Sequence, residues 1–280
     1  MAPAPQFLSA ITTPFAEDGT VDLDAFGSHV AWLAEAGLDG VFVAGTTGEG
    51  VLLEEDEVAA LVERAVAGAN ASLRVIAQVG RPSTPATARL ARRAIELGAD
   101  AIAAYVPWFY PAGDAEVRTH FLGLLEAAGD TPAFTYNIPR RTVNDLTPEL
   151  LAELAAAGFA GMKDSTGDFA RHEGYLDALG EQPFELYVGS EPLVLRAVRR
   201  GAAGAITGLA GCRPELFAAL REALRAGDDG AAERLQAEIA QAKAEVESEG
   251  STVAAVKRRV ATALAERGTE YSAALRAPFA

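Results

Sequence analysis

Residues 40–44 have the sequence Gly-Val-Phe-Val-Ala, and residues 74–79 have the sequence Arg-Val-Ile-Ala-Gln-Val. Both runs are apolar at nearly every position, which is typical of parallel strands covered by helices outside and by packed side chains inside. Further short apolar runs follow the same pattern. The predicted strands are Leu8–Thr12, Gly40–Ala44, Arg74–Val79, Ala101–Ala104, Ala133–Tyr136, Phe159–Lys163, Glu185–Val188 and Gly204–Ile206.

Stretches with helical periodicity lie between these runs. The predicted helices are Leu23–Ala36, Glu54–Ala69, Thr84–Leu97, Asp114–Ala128, Thr147–Ala157 and Glu191–Arg200. Asp22, Ser83 and Thr147 are predicted to cap three of them, because their side chains can accept hydrogen bonds from the first free backbone amides.

The spacing of these units decides between two α/β architectures. Successive strands mostly begin 26 to 34 residues apart, which favours a closed (β/α)8 TIM barrel. An open doubly wound sheet predicts a glycine-rich fingerprint after the first strand, but residues 13–19 have the sequence Thr-Pro-Phe-Ala-Glu-Asp-Gly. We therefore predict the barrel.

The pattern changes to helices alone after Pro214. These predicted helices are Glu215–Ala226, Gly230–Glu249 and Thr252–Arg267, of which the first can close the barrel. The predicted organisation is thus a (β/α)8 barrel domain over residues 1–226 and a C-terminal helical extension over residues 227–280.

The charge and composition exclude several classes of protein. A net charge of −15 disfavours nucleic-acid binding, because phosphate backbones attract basic surfaces. The single cysteine, Cys212, permits no internal disulfide and fits a reducing compartment. No signal sequence is apparent, and no apolar window approaches the roughly 20 residues that span a bilayer. The protein is predicted to be soluble and cytoplasmic, without membrane partners.

Metal chemistry is also disfavoured. The three histidines, His29, His120 and His172, all fall in helical segments and not at strand ends, where barrel active sites form. No metal ligands are therefore predicted.

A lysine stands out in residues 159–166, Phe-Ala-Gly-Met-Lys-Asp-Ser-Thr. Lysine is scarce, since only Lys163, Lys243 and Lys257 occur among 24 basic residues. Unlike arginine, a lysine amine can lose its proton and attack a carbonyl. The alternative interpretation is a strand-end side chain that extends to solvent.

Two other strand ends carry polar groups, and in a parallel barrel all strand ends meet at one face. Residues 45–50, Gly-Thr-Thr-Gly-Glu-Gly, offer free amides and the hydroxyls of Thr46 and Thr47 to a carboxylate. Residues 135–142 offer Tyr136 as a proton shuttle and Arg141 as a grip for a carboxylate. Each could be an ordinary turn or packing residue, but their convergence with Lys163 favours catalysis.

Together these motifs resemble the dihydrodipicolinate synthase and N-acetylneuraminate lyase family of Schiff-base-forming aldolases. The resemblance spans nearly the whole chain. It rests on residues 10–15 (Ala-Ile-Thr-Thr-Pro-Phe), 45–49, 136–139 (Tyr-Asn-Ile-Pro) and 161–164 (Gly-Met-Lys-Asp). It implies a barrel with C-terminal helices, usually assembled as a homotetramer that is a dimer of dimers.

The resemblance also implies a role for each matching residue. Lys163 would attack the ketone of pyruvate to form an iminium ion, with no cofactor beyond this covalent Schiff base. Tyr136 would move protons, Thr46, Thr47 and Gly48 would bind the pyruvate carboxylate, and the Thr47 hydroxyl could join the relay. Further residues that match pocket positions of relatives are Gly189, Ser190, Glu191 and Ile206.

The chain departs from the synthase pattern in residues 107–111, Pro-Trp-Phe-Tyr-Pro. Synthase members have a tyrosine, donated by a neighbouring subunit, where Phe109 stands, and a phenylalanine cannot relay a proton. Tyr110 is a candidate substitute. Residues 163–166, Lys-Asp-Ser-Thr, resemble the sugar-acid and hydroxy-oxoglutarate branches, whereas Arg141 matches the synthase residue that grips the aldehyde's carboxylate.

We therefore predict an aldolase or lyase that joins or separates pyruvate and an aldehyde, with a short 2-oxo acid such as a 2-keto-3-deoxy sugar acid as substrate. The first alternative is 4-hydroxy-tetrahydrodipicolinate synthase, which condenses pyruvate with aspartate semialdehyde. The second is a non-catalytic barrel that binds 2-oxo acids.

Overall fold

The computed structural model describes residues 4–69 and 72–279. Its strands are β1 (Gln6–Ala10), β2 (Gly40–Val43), β3 (Arg74–Gln78), β4 (Ala101–Tyr105), β5 (Ala133–Asn137), β6 (Gly161–Asp164), β7 (Glu185–Val188) and β8 (Gly204–Thr207). Each strand pairs in parallel with the next, and β8 pairs with β1. The predicted closed (β/α)8 barrel is confirmed.

The helices surround this barrel and extend beyond it. They are α1 (Leu23–Glu35), α2 (Glu55–Gly68), α3 (Thr84–Glu96), α4 (Asp114–Ala128), α5 (Pro139–Thr142), α6 (Pro148–Ala157), α7 (Phe169–Leu179), α8 (Val194–Arg200), α9 (Pro214–Ala226), α10 (Asp229–Ser248) and α11 (Thr252–Ala265). Over the described chain, none of them is long and apolar enough to cross a membrane.

The predicted caps of α1, α3 and α6 are confirmed. The side chains of Asp22, Ser83 and Thr147 each accept a hydrogen bond from a backbone amide in the first turn. Helix α7 is absent from the predicted helices, because its buried face consists of His172, Tyr175 and Leu179 and so carries only one aliphatic residue. Asp168 caps it by accepting from the first two free amides.

Strand bounds differ from the predicted ones where apolar residues continue past the hydrogen-bonded ladder. β1 begins at Gln6, which pairs with Gly204 of β8, two residues before the predicted start. Ile11 and Thr12 are buried but lie in the following loop. The predicted β4 is instead too short. It ends at Ala104, whereas the strand continues through Tyr105, which pairs with β5. The apolar pattern of the sequence therefore predicts which residues are buried in the core, but it does not predict where a hydrogen-bonded strand ends.

The barrel interior is filled by alternate side chains of the strands, as expected for a parallel barrel. This inner cluster consists of Leu8, Ala10, Phe42, Ile76, Ala101, Ala103, Tyr105, Phe134, Tyr136, Tyr187 and Ile206. A second, larger cluster lies between the strands and the helices. The inner cluster is aromatic where β2, β4, β5 and β7 contribute to it.

The C-terminal helices share the larger cluster with the barrel helices. Ile239 and Val246 of α10, and Val260 and Leu264 of α11, are buried in it. The region after residue 226 therefore packs on the barrel, while the division into two units at that residue stays a prediction.

Candidate active site

Three neighbouring strands place tyrosines and a lysine side by side. In the parallel register, Tyr105 of β4 pairs with Tyr136 of β5, and Tyr136 pairs with Lys163 of β6. Paired residues of adjacent strands project their side chains to the same face, so this row extends across the inner wall.

Lys163 is buried at the end of this row, with 4% of its surface exposed. Its Nζ lies 4.5 Å from the ring centroid of Phe42 and 4.4 Å from that of Tyr136. In the described ranges the lysine ion pairs involve Lys243 and Lys257 instead. The amine of Lys163 is therefore surrounded by aromatic faces and is not held by a carboxylate.

A hydroxyl network lies beside this lysine. Thr46 Oγ1 is 3.2 Å from the hydroxyl of Tyr136 and 3.2 Å from the hydroxyl of Tyr105. The two tyrosine rings stack with centroids 4.7 Å apart and an interplanar angle of 28°. Burial raises the pKa of Tyr105, and neighbouring Tyr136 raises it further. Tyr105 therefore keeps its proton at neutral pH.

Sequence reasoning missed Tyr105. At the end of an apolar run it is indistinguishable from a packing residue until the register places it beside Tyr136. The one signal in the sequence was that Tyr105 lies two and four residues after Ala103 and Ala101, so its side chain projects into the barrel as theirs do.

The loop after β2 is tightly folded and carries Thr46 and Thr47, both half-buried. A Cβ on Gly50 would lie 1.7 Å from the Ala44 carbonyl oxygen, so only glycine fits there. The carbonyl of Gly48, which is buried, accepts a hydrogen bond of 2.8 Å from the Thr13 hydroxyl. These contacts hold the two threonines in place.

Glu49 ties the same loop to the C-terminal part of the chain. Its backbone φ of 56° lies in the left-handed region, and its side chain is buried. Lys257 Nζ of α11 donates to Glu49 Oε1 at 2.7 Å, and the Arg276 amide donates to Oε2 at 2.9 Å. Burial lowers the pKa of Lys257, while the hydrogen bond to Glu49 opposes that shift. Sequence reasoning missed this pair, although the scarcity of lysine was a usable signal.

A cavity of about 470 Å³ adjoins the hydroxyl network. Its lining residues are Thr46, Glu49, Val51, Leu52, Tyr105, Trp108, Arg141, Thr142, Ser251, Val253, Leu275 and Phe279. Tyr136 and Lys163 are not among them, but the Tyr136 hydroxyl contacts the lining residue Thr46. Arg141 contributes an exposed guanidinium to the cavity wall.

The loop after β7 and the end of β8 hold the remaining predicted pocket residues. Ile206 is fully buried in the inner cluster. Gly189 lies against Ser165, whose Oγ would be 2.2 Å from an added Cβ, and Ser190 is half-buried. Glu191 is buried and its carboxylate lies 3.6 Å from Lys243 of α10. The Glu191 side chain thus contacts the C-terminal helices.

Phe109 and Tyr110 project from the loop after β4. They are 74% and 75% exposed, and their rings contact each other with centroids 4.9 Å apart. Phe109 has a φ of 79°, and Asn144 Nδ2 donates to the carbonyls of Pro107 and Tyr110. Neither ring lines the cavity or joins the Thr46 network.

The histidines are separate from one another. His29 Nε2 donates to the Gly211 carbonyl, His120 bonds Thr84, and His172 bonds Asp164. Within residues 4–69 and 72–279, no group of three or more His, Cys, Asp and Glu side chains has an arrangement that could hold a metal ion.

The sequence profile of the dihydrodipicolinate synthetase family matches residues 4–280 of the chain, which therefore belongs to this family. The N-acetylneuraminate lyase of Rhizobium meliloti is 34% identical over 229 residues, covering 82% of this chain and 76% of that protein. The 4-hydroxy-tetrahydrodipicolinate synthase of an Exiguobacterium species is 33% identical over 221 residues, covering 79% and 75%. The chain is an enzyme of this lyase and aldolase type.

A crystal structure of a dihydrodipicolinate synthase from Acinetobacter baumannii, complexed with pyruvate, has the same fold. It is 28% identical, with a TM-score of 0.88 over 99% of this chain and 93% of that chain. The family comprises pyruvate-dependent aldolases that work through a lysine Schiff base.

Proposed function

We propose that Lys163 is the amine that forms the Schiff base with pyruvate. The observation that carries this proposal is a buried lysine at a strand end whose Nζ faces the rings of Phe42 and Tyr136 and, in the described chain, has no carboxylate partner. An amine locked in an ion pair is a poor nucleophile, whereas one facing apolar rings is available to a carbonyl.

The chemistry follows from these neighbours. The neutral amine adds to C2 of pyruvate while the carbonyl oxygen takes up a proton and the nitrogen gives one up, leaving a neutral carbinolamine. A second proton on that oxygen breaks the C–O bond and releases water, and the nitrogen lone pair forms the C=N⁺ bond. Tyr136, whose ring lies 4.4 Å from Nζ, is the proton donor and acceptor in both steps. The iminium then accepts electrons from the adjacent carbon, where the bond to the aldehyde is made or broken.

The carboxylate of pyruvate binds the loop after β2. Thr46, Thr47 and Gly48 lie where free amides and hydroxyls can surround an anion, and the contacts of Gly48 and Glu49 hold the loop rigid. The pyruvate complex of the Acinetobacter relative supports a pyruvate site in this fold. Gly189, Ser190 and Ile206 complete the pocket wall in this proposal.

We infer a short 2-oxo acid, such as a 2-keto-3-deoxy sugar acid, as the substrate. A cavity of about 470 Å³ has the size of small-molecule sites. Relatives named lyase and synthase are almost equally similar, so identity does not choose between them. Arg141 in the cavity wall favours the second candidate, condensation of pyruvate with aspartate semialdehyde, because a guanidinium can grip that aldehyde's carboxylate.

We also propose a homotetramer. Phe109, Tyr110 and Val143 are large apolar side chains that are mostly exposed in the single chain. Contact with a neighbouring subunit would remove them from water.

The test is to incubate the protein with pyruvate, reduce with borohydride and map the adduct by peptide mass spectrometry. We expect a reduced pyruvate adduct on Lys163 alone. If no adduct forms under conditions that trap a known relative, the proposed function is wrong.

The substrate is tested by offering the enzyme and pyruvate four aldehydes in parallel. These are aspartate semialdehyde, glyceraldehyde, glyoxylate and N-acetylmannosamine. We expect the highest kcat/KM with a short sugar or oxo aldehyde. A strong preference for aspartate semialdehyde would instead select the synthase.

A further inference from the structure

The second tyrosine of the synthase pattern is replaced by Phe109, which has no hydroxyl. The structure nevertheless contains a second tyrosine hydroxyl beside the first one. It belongs to Tyr105, on β4 of the same chain, and lies 3.2 Å from Thr46 Oγ1. Thr46 Oγ1 is in turn 3.2 Å from the Tyr136 hydroxyl.

We propose that Tyr105 is a catalytic residue that supplies the second hydroxyl of the proton relay from within the chain, so that the relay runs from Tyr136 through Thr46 to Tyr105. This inference rests on the proposed function of Lys163. It makes each subunit's relay complete without a side chain from its neighbour.

Geometry supports the relay in three ways. The register between β4 and β5 pairs Tyr105 with Tyr136, and their rings stack at 4.7 Å, which fixes both hydroxyls on one side. Trp108 packs edge-on against Tyr105 at 5.5 Å and limits its movement. Tyr105 also lines the cavity, whereas Tyr136 does not. Tyr105 can therefore exchange protons with solvent in the cavity on behalf of Tyr136.

The charges around Tyr105 suit a proton donor. Burial and Tyr136 raise its pKa, so it is protonated before substrate binds. The guanidinium groups of Arg81 and Arg141 act in the opposite direction and stabilise a transient tyrosinate. Because two adjacent tyrosinates would repel, only one proton is missing from the pair at a time.

The proton balance is as follows. When Tyr136 gives its proton to the carbinolamine oxygen, the Thr46 hydroxyl gives its proton to Tyr136. Tyr105 then gives its proton to Thr46. The water that leaves carries the transferred proton, and Tyr105 regains one from solvent in the cavity. With the solvent proton included, four oxygen–hydrogen bonds break and four form, and no electron is gained or lost.

A purely structural Tyr105 would fill the barrel and stack on Tyr136 without using its hydroxyl. Tyr105→Phe separates the two roles, because it keeps the ring and removes only the oxygen. Tyr187→Phe is the matched control. Tyr187 is another buried barrel tyrosine, but its hydroxyl donates to Gln6 and Glu185 at the opposite end of the strands.

The experiment measures the rate at which full-length protein accumulates the borohydride-reduced pyruvate adduct, by intact mass at timed quenches. We expect Tyr105→Phe to slow this rate by roughly 100-fold, the lower range for loss of general acid catalysis. Its final adduct yield and Tm should remain close to those of the parent protein. Tyr187→Phe should keep the parental rate even if its Tm falls. A rate for Tyr105→Phe within about threefold of the parent would overturn the inference.

A second readout tests whether the hydroxyls act as one unit. Exchange of the pyruvate methyl protons in D2O, followed by NMR, reports formation of the enamine without any aldehyde. We expect the Tyr105→Phe/Tyr136→Phe double variant to be no slower than Tyr136→Phe alone, because residues of one relay are not additive. Multiplicative losses would contradict the relay.

The two proposals fail differently. If the parent protein forms no adduct, the role of Lys163 is refuted. If the parent forms the adduct and Tyr105→Phe matches its rate, only the relay is refuted.

Discussion

Lys163 and Lys257 are both buried, with 4% and 0% of their surfaces exposed, and both amines lie over aromatic rings. Their other neighbours differ. Lys257 donates to Glu49 at 2.7 Å and to the Ala274 carbonyl. Lys163, by contrast, has no ion pair in the part of the chain that the structure describes.

The difference shows that burial alone does not assign a role to a lysine. Lys257 is neutralised by a carboxylate and joins α11 to the loop after β2, so its donors are committed to the protein. In the described residues, the Lys163 amine faces the rings of Phe42 and Tyr136 and has no carboxylate partner. Removing either amine should therefore damage a different property of the protein.

Lys163→Met should abolish adduct formation and reduce turnover on the order of 10⁴-fold or more, as loss of a nucleophile does. The free energy of unfolding should change by less than about 1 kcal/mol or increase, because no charged partner is left behind. Adduct mass spectrometry and urea unfolding measure the two effects. Lys243→Arg is the control and should keep full adduct yield. If Lys163→Met retained turnover, the proposed difference in role between Lys163 and Lys257 would be wrong.

Lys257→Met should lower the free energy of unfolding by about 3–5 kcal/mol, because it leaves the Glu49 carboxylate buried without its counter-ion. Urea unfolding at neutral pH measures the loss. Adding Glu49→Gln in the same chain should recover much of it, since the uncompensated charge is then gone. A single-variant loss below about 1 kcal/mol would mean that the pair contributes no more than a surface pair.

His29 is another buried basic group and differs from both lysines, because burial keeps its ring neutral at pH 7. Burial lowers its pKa to about 4, and its Nδ1 has no hydrogen-bond partner among the described residues. The unfolded chain binds a proton near pH 6.5, so stability is full above that pH and is lost as the pH falls toward 4. Between pH 7.5 and 5, His29 should cost about 2 kcal/mol of unfolding free energy.

Urea unfolding at the two pH values tests this loss. His29→Gln keeps a donor for the Gly211 carbonyl and removes the titration, so its stability should fall less over the same range. His120 shifts in the same direction, again through burial, and remains in both proteins. Equal losses in parent and variant would show that His29 is already charged in the folded state.

The smallest effect is expected at an exposed ion pair. Arg225 and Glu222 lie 2.9 Å apart on α9, with roughly half of each side chain in solvent. Glu222→Gln should change the free energy of unfolding by less than about 0.5 kcal/mol, because solvent and salt screen such pairs. Thermal unfolding at low and high salt checks this value, and a loss as large as that of Lys257→Met would refute the distinction by burial.

The barrel could be predicted from the sequence because its strands are uniformly apolar and regularly spaced. The strand ends could not, since Ile11 and Thr12 are as buried as the strand before them but lie outside the ladder. Likewise α7 was missed because its buried residues are His172, Tyr175 and Leu179, of which the histidine and the tyrosine give a weaker apolar signal than the leucines buried in α6. Pairing register depends on the whole ring of strands and cannot be read locally.

For the candidate site, the sequence predicted that Thr46, Tyr136 and Lys163 would converge, because each follows an apolar strand of the same parallel sheet. Tyr105 was missed because one more aromatic residue in an apolar run carries no polar signal. The Glu49–Lys257 pair was missed for another reason. It joins positions 208 residues apart, and no local pattern links them.

The contact between Arg276 and Glu49 also has a consequence for synthesis of the chain. The two residues are 227 positions apart, and the Arg276 amide is one of the donors that hold the Glu49 carboxylate. Chains are made from the N-terminus at about 5–20 residues per second. The loop with Thr46 and Thr47 therefore waits more than about ten seconds, by that rate, for its last anchor. A nascent barrel can form its strands before Arg276 is made, but the Glu49 carboxylate gains this donor only afterwards.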